Sequence, residues 1–126
     1  MLKLNVVILF SEKPQKLVEF YKKVFEREPD WSGGDFYGFK SGESYLTIGP
    51  HSEVHGDNKT PERLIFQFEI EDVHKEFERL KALGARVVMK PYHPGEDSDM
   101  SLATFADPDN NYFQIGSPMK NNNLTN

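Results

Sequence analysis

Histidines are the side chains of this chain that most readily bind metals or carry protons, and two of them, His51 and His55, lie four residues apart. On a helix this spacing would bring both imidazoles to one side, where they could hold a zinc ion. Proline and glycine flank the pair, however, and the HExxH order of zinc proteases is absent, so we interpret the segment as a linker. His74 follows a predicted helix start and is expected at the surface, whereas His93 lies in a loop that could close over a ligand.

Other common functional arrangements are missing from the sequence. It contains no cysteine, which excludes disulfides, thiolate metal sites and cysteine nucleophiles. It has no Ser–His–Asp spacing, Walker loop or GxGxxG motif. The net charge of −5 argues against binding to nucleic acid or to an anionic membrane surface. The apolar run near the N-terminus, Val6–Phe10, is far shorter than the ~20 residues of a membrane-spanning helix, and we expect a cytoplasmic protein.

The first half of the chain predicts one strand, one helix and three short strands. Residues 2–10 are apolar and β-branched, as in a buried strand. Apolar residues between Leu17 and Val24 recur at the spacing of one helix face, with Ser11 as the expected cap. Short apolar runs separated by glycine-containing turns follow, and the simplest interpretation is three strands between residues 31 and 48.

The same order of elements begins again after a polar linker at 51–61. Residues 63–70 alternate as in a strand, and Asp72 is expected to cap a helix that Gly84 ends. Three further strands are predicted at 86–89, 101–105 and 112–115, and the loop Pro91–Asp99 is long enough to be functional. With Glu12 taken as the equivalent of Asp72, the chain is a βαβββ unit written twice, which predicts an α+β fold.

This repeat sets the predicted domain organisation. A single domain would consist of module one at 1–50, the linker at 51–61 and module two at 62–116, followed by a frayed tail at 117–126. Neither module could cover its own sheet, so the two are expected to share a core or to pair across a dimer.

Four features in this order resemble one known group of proteins. They are the doubled βαβββ unit, Phe20-Tyr21 in the first helix, Glu71-Asp72-Val73 at the start of the second helix, and the run Phe105–Asn111 before the last strand. Together they are similar to the vicinal oxygen chelate superfamily, which includes glyoxalase I, extradiol dioxygenases, fosfomycin-modifying enzymes and bleomycin-resistance proteins. The last motif usually reads Asp-Pro-Asp-Gly-Asn, and Asn110 replaces the glycine here, which is a mild change because Asn tolerates the left-handed conformation. The resemblance implies curved mixed sheets around a cavity, in a homodimer.

The resemblance also implies where a metal would bind. Enzymes of this superfamily chelate a divalent ion with one side chain from the first and the last strand of each module. By counting from Glu12, Asp72 and Asp107, the equivalent positions here are Asn5, Thr47, Ile65 and Gln114. Ile65 has no lone pair and the other three are neutral, so the set lacks the imidazole and carboxylate ligands of Zn, Fe and Ni sites. We therefore expect no metal, no cofactor and no catalytic residue.

Strand alternation then predicts the lining of the cavity. The side chains expected on the same face as the quartet are Val7, Leu9, Tyr45, Gln67, Glu69 and Tyr112. Those expected against the helices are Val6, Ile8, Phe10, Phe66 and Phe68. Trp31 and Tyr37 could add walls, but the phase of their strands stays open.

This lining suits a planar, partly aromatic ligand. Trp31, Tyr45 and Tyr112 would stack on it, Asn5, Thr47, Gln67 and Gln114 would hydrogen-bond to it, and Glu69 would favour its cationic groups. Purely structural roles also stay open. The tyrosines could cap the core, Trp31 could lie in the core or at a dimer contact, Gln114 could bond to Asn5, and Glu69 could be a solvated rim residue.

The function that these residues favour is metal-independent binding of a planar or amphipathic antibiotic or metabolite, as in the antibiotic-sequestering branch that the sequence resembles. The expected partners are a small molecule and a second copy of the chain, without nucleic acid or membrane. One alternative is a metal-dependent lyase, dioxygenase or thiol transferase with a non-standard site, such as Glu69 with His93. Another is a module whose pocket has closed.

Overall fold

The computed structural model describes residues 1–95 and 99–118. By its internal contacts the chain divides into two units, Met1–Asp57 and Asn58–Asn126. Each unit contains one four-stranded mixed sheet with one helix packed on it. The predicted α+β class and the repeated βαβββ order are therefore confirmed.

The first unit is built around a sheet with the strand order β1-β4-β3-β2. Strand β1 pairs with β4 in parallel, and the other two pairs are antiparallel. The elements are β1 (Val6–Phe10), α1 (Pro14–Phe25), β2 (Trp31–Gly33), β3 (Phe36–Ser41) and β4 (Ser44–Gly49). Three short strands were predicted after the helix, and all three are present.

The second unit repeats this topology, with the strand order β5-β8-β7-β6. Strand β5 is parallel to β8, whereas β6, β7 and β8 are antiparallel. The elements are a 3-10 turn (Pro61–Arg63), β5 (Phe66–Glu69), α2 (Val73–Ala82), β6 (Arg86–Tyr92), β7 (Leu102–Ala106) and β8 (Tyr112–Gly116). Arg63, the first residue of the predicted strand 63–70, thus ends the 3-10 turn, β5 begins only at Phe66, and β6 extends into the predicted loop.

Helix boundaries follow from local chemistry. Proline needs no hydrogen-bond acceptor for its nitrogen and starts α1 at Pro14. Ser11 does not cap this helix, because its Oγ accepts from Lys13 N at 3.0 Å and Lys13 occupies the cap position. Asp72 caps α2 as predicted, accepting from Lys75 N at 3.1 Å. Gly84 follows α2 with φ of 96°, a conformation that favours glycine, as expected for its end.

Aromatic rings fill the space between sheet and helix in each unit. In the first unit, Phe25 stacks on Phe39 with 5.0 Å between ring centroids. In the second, Phe105 lies between Phe77 of α2 and Phe113 of β8, at 5.5 and 5.8 Å. Much of the high aromatic content is therefore core.

Two predictions concern the C-terminal tail and the loop that follows β6. The tail was expected from residue 117, but Ser117 N donates to Ser101 O at 3.1 Å and Ser117 Oγ accepts from Ser101 N at 2.9 Å. The rest of that tail, 119–126, and residues 96–98 of the predicted loop lie outside the described residues. No helix in the described part of the chain is long and apolar enough to cross a membrane.

Candidate functional site

Each sheet packs its helix on one face, and we call the opposite surface its helix-free face. In the first unit, the stacking of Phe25 on Phe39 and a hydrogen bond from Gln15 Nε2 to the Tyr37 hydroxyl at 2.7 Å show that these β3 side chains face α1. In the second unit, the contact between Phe77 and Phe105 marks the helix side of β7. Because strand side chains alternate, the residues between them belong to the helix-free faces.

Strand β1 has the opposite phase from the one predicted. Its parallel register aligns Val7 with Leu46 and Leu9 with Ile48, which are buried on the helix side. The residues expected against the helix lie instead on the helix-free face, and they are Val6, Ile8 and Phe10. The exposure of Ile8, 47%, agrees with this phase.

The error arose from the alignment of the two repeats. Ser11 N donates to Gly49 O and Ile70 N donates to Gly116 O, so Ser11 and Ile70 are equivalent. Lys13 rather than Glu12 then matches Asp72. A slip of one residue moves every side chain of a strand to the other face.

A central row crosses the helix-free face of the first sheet. The register places Trp31 beside Gly38, Gly38 beside Thr47, and Thr47 beside Ile8. The Trp31 indole lies over Gly38 so closely that a Cβ at that position would overlap the ring. Trp31 is nevertheless 42% exposed, so the indole and the glycine backbone beneath it form an exposed platform. Trp31 is thus on the helix-free face and Tyr37 is on the helix side.

A second aromatic group lies on the same face. The Phe10 ring meets Phe36 edge-on at 6.3 Å and His51 at 5.0 Å, and Phe36 covers the bare backbone of Gly49. His51 Nδ1 accepts from Glu53 N at 3.0 Å, so its neutral ring carries the proton on Nε2. The His51 ring therefore borders this aromatic group, and the hydrogen bond from the Glu53 backbone fixes its neutral tautomer.

The equivalent central row of the second sheet is polar. The register aligns Met89 with Thr104, Thr104 with Gln114, and Gln114 with Gln67. Gln114 Nε2 donates to Thr104 Oγ1 at 3.3 Å, and Thr104 is buried. Sequence reasoning missed Met89, because a register shift between Val87 and Met89 interrupts the alternation of β6. It also missed Thr104, whose place beside Gln114 follows from the pairing of β7 with β8.

The next row of this face contains another glycine, Gly116, whose backbone is covered by side chains of neighbouring strands. The Gln67 carboxamide and the Leu102 side chain lie over Gly116, where a Cβ would crowd both. Glu69 is aligned with Gly116 at the end of the strand pair, and Tyr92 is aligned with Leu102. A glycine inside a strand was the signal in the sequence for such a close approach.

The residues predicted to bind ligand divide between the two sheets. The first sheet brings Trp31, Tyr45 and Thr47 to its helix-free face. The second brings together Gln67, Glu69, Tyr112 and Gln114, and on its helix side the half-buried Phe66 and Phe68 pack against Phe113, as predicted.

Two members of the predicted quartet are placed differently. Asn5 precedes β1 on the side of Val7 and Leu9, and its carbonyl accepts from Tyr45 N at 2.8 Å, so its predicted position beside Thr47 was wrong. Ile65 precedes β5 and is exposed. The residues that directly face each other are Ile8 with Thr47 and Gln67 with Gln114.

The metal site that the resemblance implies does not fit these residues. The adjacent helix-free pairs of the first and last strands are Val6–Tyr45, Ile8–Thr47 and Phe10–Gly49 in one sheet, and Gln67–Gln114 and Glu69–Gly116 in the other. Glu69 supplies the single carboxylate of this set, and none of its members supplies an imidazole. Within residues 1–95 and 99–118, no three His, Asp or Glu side chains are grouped so that they could hold a metal ion. His55 lies against Glu12, with 3.6 Å between Nδ1 and Oε2, and His93 Nδ1 contacts Met100 O at 2.8 Å.

Two carboxylates near the first sheet have altered acidities. The Lys40 N–H, at 2.7 Å, and the Arg27 guanidinium, at 3.1 Å, lower the pKa of Asp30, which directly precedes Trp31. The Gly56 N–H, at 3.1 Å, and His55 lower the pKa of Glu12. Through these hydrogen bonds, the Asp30 and Glu12 carboxylates stabilise the loops that border the first sheet.

Comparisons with known proteins agree with this architecture. Residues 3–115 match the family described as "Glyoxalase/Bleomycin resistance protein/Dioxygenase superfamily". A curated relative, "Uncharacterized protein YraH" of Bacillus subtilis (strain 168), is 27% identical in an alignment 125 residues long that covers 90% of this chain and 97% of the relative.

Solved structures share the fold. A glyoxalase/bleomycin resistance protein/dioxygenase family enzyme from Burkholderia phytofirmans PsJN is 22% identical with a TM-score of 0.72, covering 92% of this chain and 98% of its own. The fosfomycin resistance protein FosX from Listeria monocytogenes is 21% identical with a TM-score of 0.67, covering 98% of each chain. The chain therefore belongs to the glyoxalase/bleomycin resistance protein/dioxygenase superfamily.

Proposed function

We propose that this protein binds a small planar or amphipathic molecule on the helix-free faces of its sheets, without a metal ion. The observation that carries this proposal is the chemistry of the facing pairs Ile8–Thr47 and Gln67–Gln114. Their donors are a hydroxyl and two amides, and none compensates the charge of a divalent ion. The same groups are well suited to hydrogen-bond an organic molecule.

The first sheet supports a planar ligand. The Trp31 ring lies directly over Gly38 and the residue is 42% exposed, so a second ring could stack on it. Aromatic pairs contribute about 0.5–1.5 kcal/mol beyond the area that they bury. Ile8, exposed in the same row, offers an apolar border to such a ring.

The second sheet supports a ligand with polar edges. The Gln67 and Gln114 carboxamides each present a donor and an acceptor, and Thr104 fixes one end of Gln114. Glu69 and Tyr112 lie on either side of this pair along the strands, with a carboxylate that favours positive charge and a ring that can stack. An amide-bearing heteroaromatic molecule matches this set.

An antibiotic or a metabolite would satisfy these requirements equally. The structural relative FosX is, by its name, a fosfomycin resistance protein, which supports the antibiotic class by analogy. We further propose that the protein works in the cytoplasm as a homodimer, in which case light scattering on a sizing column will give the mass of two 14.5 kDa chains.

The proposal is tested by titrating chelator-treated protein with a panel of planar antibiotics and aromatic metabolites while recording Trp31 emission. The chain has one tryptophan, so the signal reports on the platform alone. We expect at least one compound to change the emission saturably. For compounds that raise the melting temperature by binding to the second sheet, Gln114→Leu or Gln67→Leu should weaken binding about tenfold through loss of hydrogen bonds.

A matched control is Gln15→Leu, which changes the same residue type on the helix side, where Gln15 bonds to Tyr37. This variant should bind like the wild-type protein. Absence of any saturable change across the panel, or equal weakening by all three substitutions, would overturn the proposed site.

A further inference from the structure

Arg86 lies on the helix-free face of the second sheet, in the same row as Tyr112. The register aligns Arg86 with Ala106 and Ala106 with Tyr112. Ala106 is small and buried, and neighbouring strands lie about 4.8 Å apart. Arg86 and Tyr112 therefore lie on either side of a small residue in the same row, with one strand between them.

Asn110 holds this guanidinium in place. Its Nδ2 donates to Asn58 O at 2.9 Å, which leaves Oδ1 to accept from Arg86 Nη2. Asn110 has φ of 65°, in the left-handed region that favours glycine, and its position in the Asp107–Asn111 turn is the one at which the superfamily motif usually has glycine. The departure from glycine thus adds a side chain that bridges Arg86 to the start of the second unit.

The charge of Arg86 is not neutralised by this partner. Arg27 pairs with Asp30 at 3.1 Å and Arg79 pairs with Glu76 at 2.5 Å, whereas Arg86 is held by a neutral amide oxygen. Arg86 forms no ion pair with any carboxylate of the described residues. A guanidinium that is oriented, exposed and uncompensated is suited to bind an oxyanion through two parallel hydrogen bonds.

We infer that the ligand carries a carboxylate or phosphate group, which Arg86 binds in the row of Tyr112, with Asn110 as the positioning residue. This inference rests on the proposed function, because it adds an anionic end to the ligand of the same face. Arg86 supplies the positive charge, and Tyr112 packs against the adjoining part of the ligand. Asn110 fixes the direction of the Arg86 guanidinium.

The test uses three probes that share one ring: benzoate, phenyl phosphate and the neutral benzamide. Each is titrated into full-length ¹⁵N-labelled protein, and the shifts of the backbone signals and of the Arg86 Nε–H signal give Kd. Benzoate or phenyl phosphate should move the signals of Arg86 and Tyr112 saturably, and the tighter of the two identifies the anion class. Arg86→Gln should raise that Kd about tenfold or more without changing the Kd of benzamide.

Asn110→Gly restores the usual motif residue, keeps the left-handed conformation and removes the amide. It should raise the Kd of the anion and leave that of benzamide unchanged, a difference that a merely structural role would not produce. Arg63→Gln removes the same charge from the exposed 3-10 turn and should leave both Kd values unchanged.

Two results would overturn the inference. One is equal binding of benzoate, phenyl phosphate and benzamide, and the other is an equal loss of anion binding in Arg63→Gln and Arg86→Gln. In either case saturable shifts at Gln67 and Gln114 would leave the proposed function standing, whereas a lack of shifts with every probe and every member of the antibiotic and metabolite panel would contradict both.

Discussion

At the scale of single residues, three glycines shape the helix-free faces. Gly38 lies under the Trp31 indole, Gly49 under the Phe36 ring and Gly116 under the Gln67 carboxamide. In each case a side chain from the same face occupies the space that a Cβ on the glycine would need, and so lies closer to the backbone. The glycines thereby set the height of the surfaces that we propose to contact ligand.

Replacing Gly38 by alanine should therefore displace Trp31. The new Cβ would overlap the indole, so the ring must swing away from the sheet. We expect stronger quenching of its emission by acrylamide and about tenfold weaker binding of any stacking ligand. Gly33→Ala is the control, because its Cβ would meet Trp31 at an ordinary contact distance of 3.7 Å. Equal quenching in both variants would refute the described packing.

Asp30 makes the stability of the first sheet depend on pH. Its pKa is below the usual 3.8 because the folded chain donates the Lys40 N–H and the Arg27 guanidinium to the carboxylate. The stabilisation is thus complete above the unfolded pKa and is lost as pH falls through the lower, folded pKa. Asp30→Asn should be less stable than the wild-type protein at pH 7 in urea unfolding.

This difference should shrink as the pH is lowered below 3.8 and both proteins become neutral at position 30. Asp35→Asn, in the exposed turn between β2 and β3, controls for the loss of one negative charge. A difference between Asp30→Asn and wild type that is constant from pH 7 to the acid limit would contradict the assigned interaction.

At the scale of elements, the Asp107–Asn111 turn is built around a buried carboxylate. Asp107 accepts from Asp109 N and Asn111 N, both at 2.9 Å, and from Asn111 Nδ2 at 3.0 Å. Asn58 N in turn donates to Asp109 O at 2.8 Å. The turn thus holds the start of β8, and with it Tyr112, in register with β7.

Asp107→Ala should lower the free energy of unfolding by about 1.5–3 kcal/mol, because buried N–H groups lose a charged acceptor. Chemical denaturation measures this change. Asp109→Ala, in the same turn, is the control, because Asp109 bonds to Asp107 through its backbone N–H, which alanine keeps. This substitution should change the free energy of unfolding by less than about 0.5 kcal/mol. Equal losses in the two variants would show that the buried carboxylate is not the centre of the turn.

The elements also explain which features the sequence could predict. The cap at Asp72, the end at Gly84 and the faces of Phe66 and Phe68 are local signals, and the structure agrees with them. The phase of β1 depends on long-range pairing with β4, and a one-residue slip inverted it.

A second failure has a different cause. The irregular pairing of β6 with β7 brings Met89 to the row of Thr104, and simple alternation along the chain does not predict such a shift. Likewise, Arg86 could be recognised as a candidate only once Asn110 was seen beside it. Of the four residues in the central row of the second sheet, the sequence thus predicted Gln67 and Gln114 and missed Met89 and Thr104.

At the scale of the whole molecule, the chain repeats one βαβββ unit and gives the two copies different chemistry. The central row is Trp31, Gly38, Thr47 and Ile8 in the first sheet, and Met89, Thr104, Gln114 and Gln67 in the second. One copy is aromatic and apolar and the other carries amides. Neither of these two rows carries an imidazole or a carboxylate, which is why we propose binding rather than metal-dependent catalysis.

The most direct measurement of this claim is the ligand-induced rise in melting temperature, recorded in parallel on chelator-treated protein and on protein supplied with Fe²⁺, Ni²⁺, Zn²⁺ or Mn²⁺. A ligand at 100 times its Kd stabilises the folded state by about 2.7 kcal/mol, which is a shift of several degrees for a chain of this size. We predict the same shift with and without metal. A shift that appears only in the presence of one of these ions, bound stoichiometrically to the protein, would contradict the account.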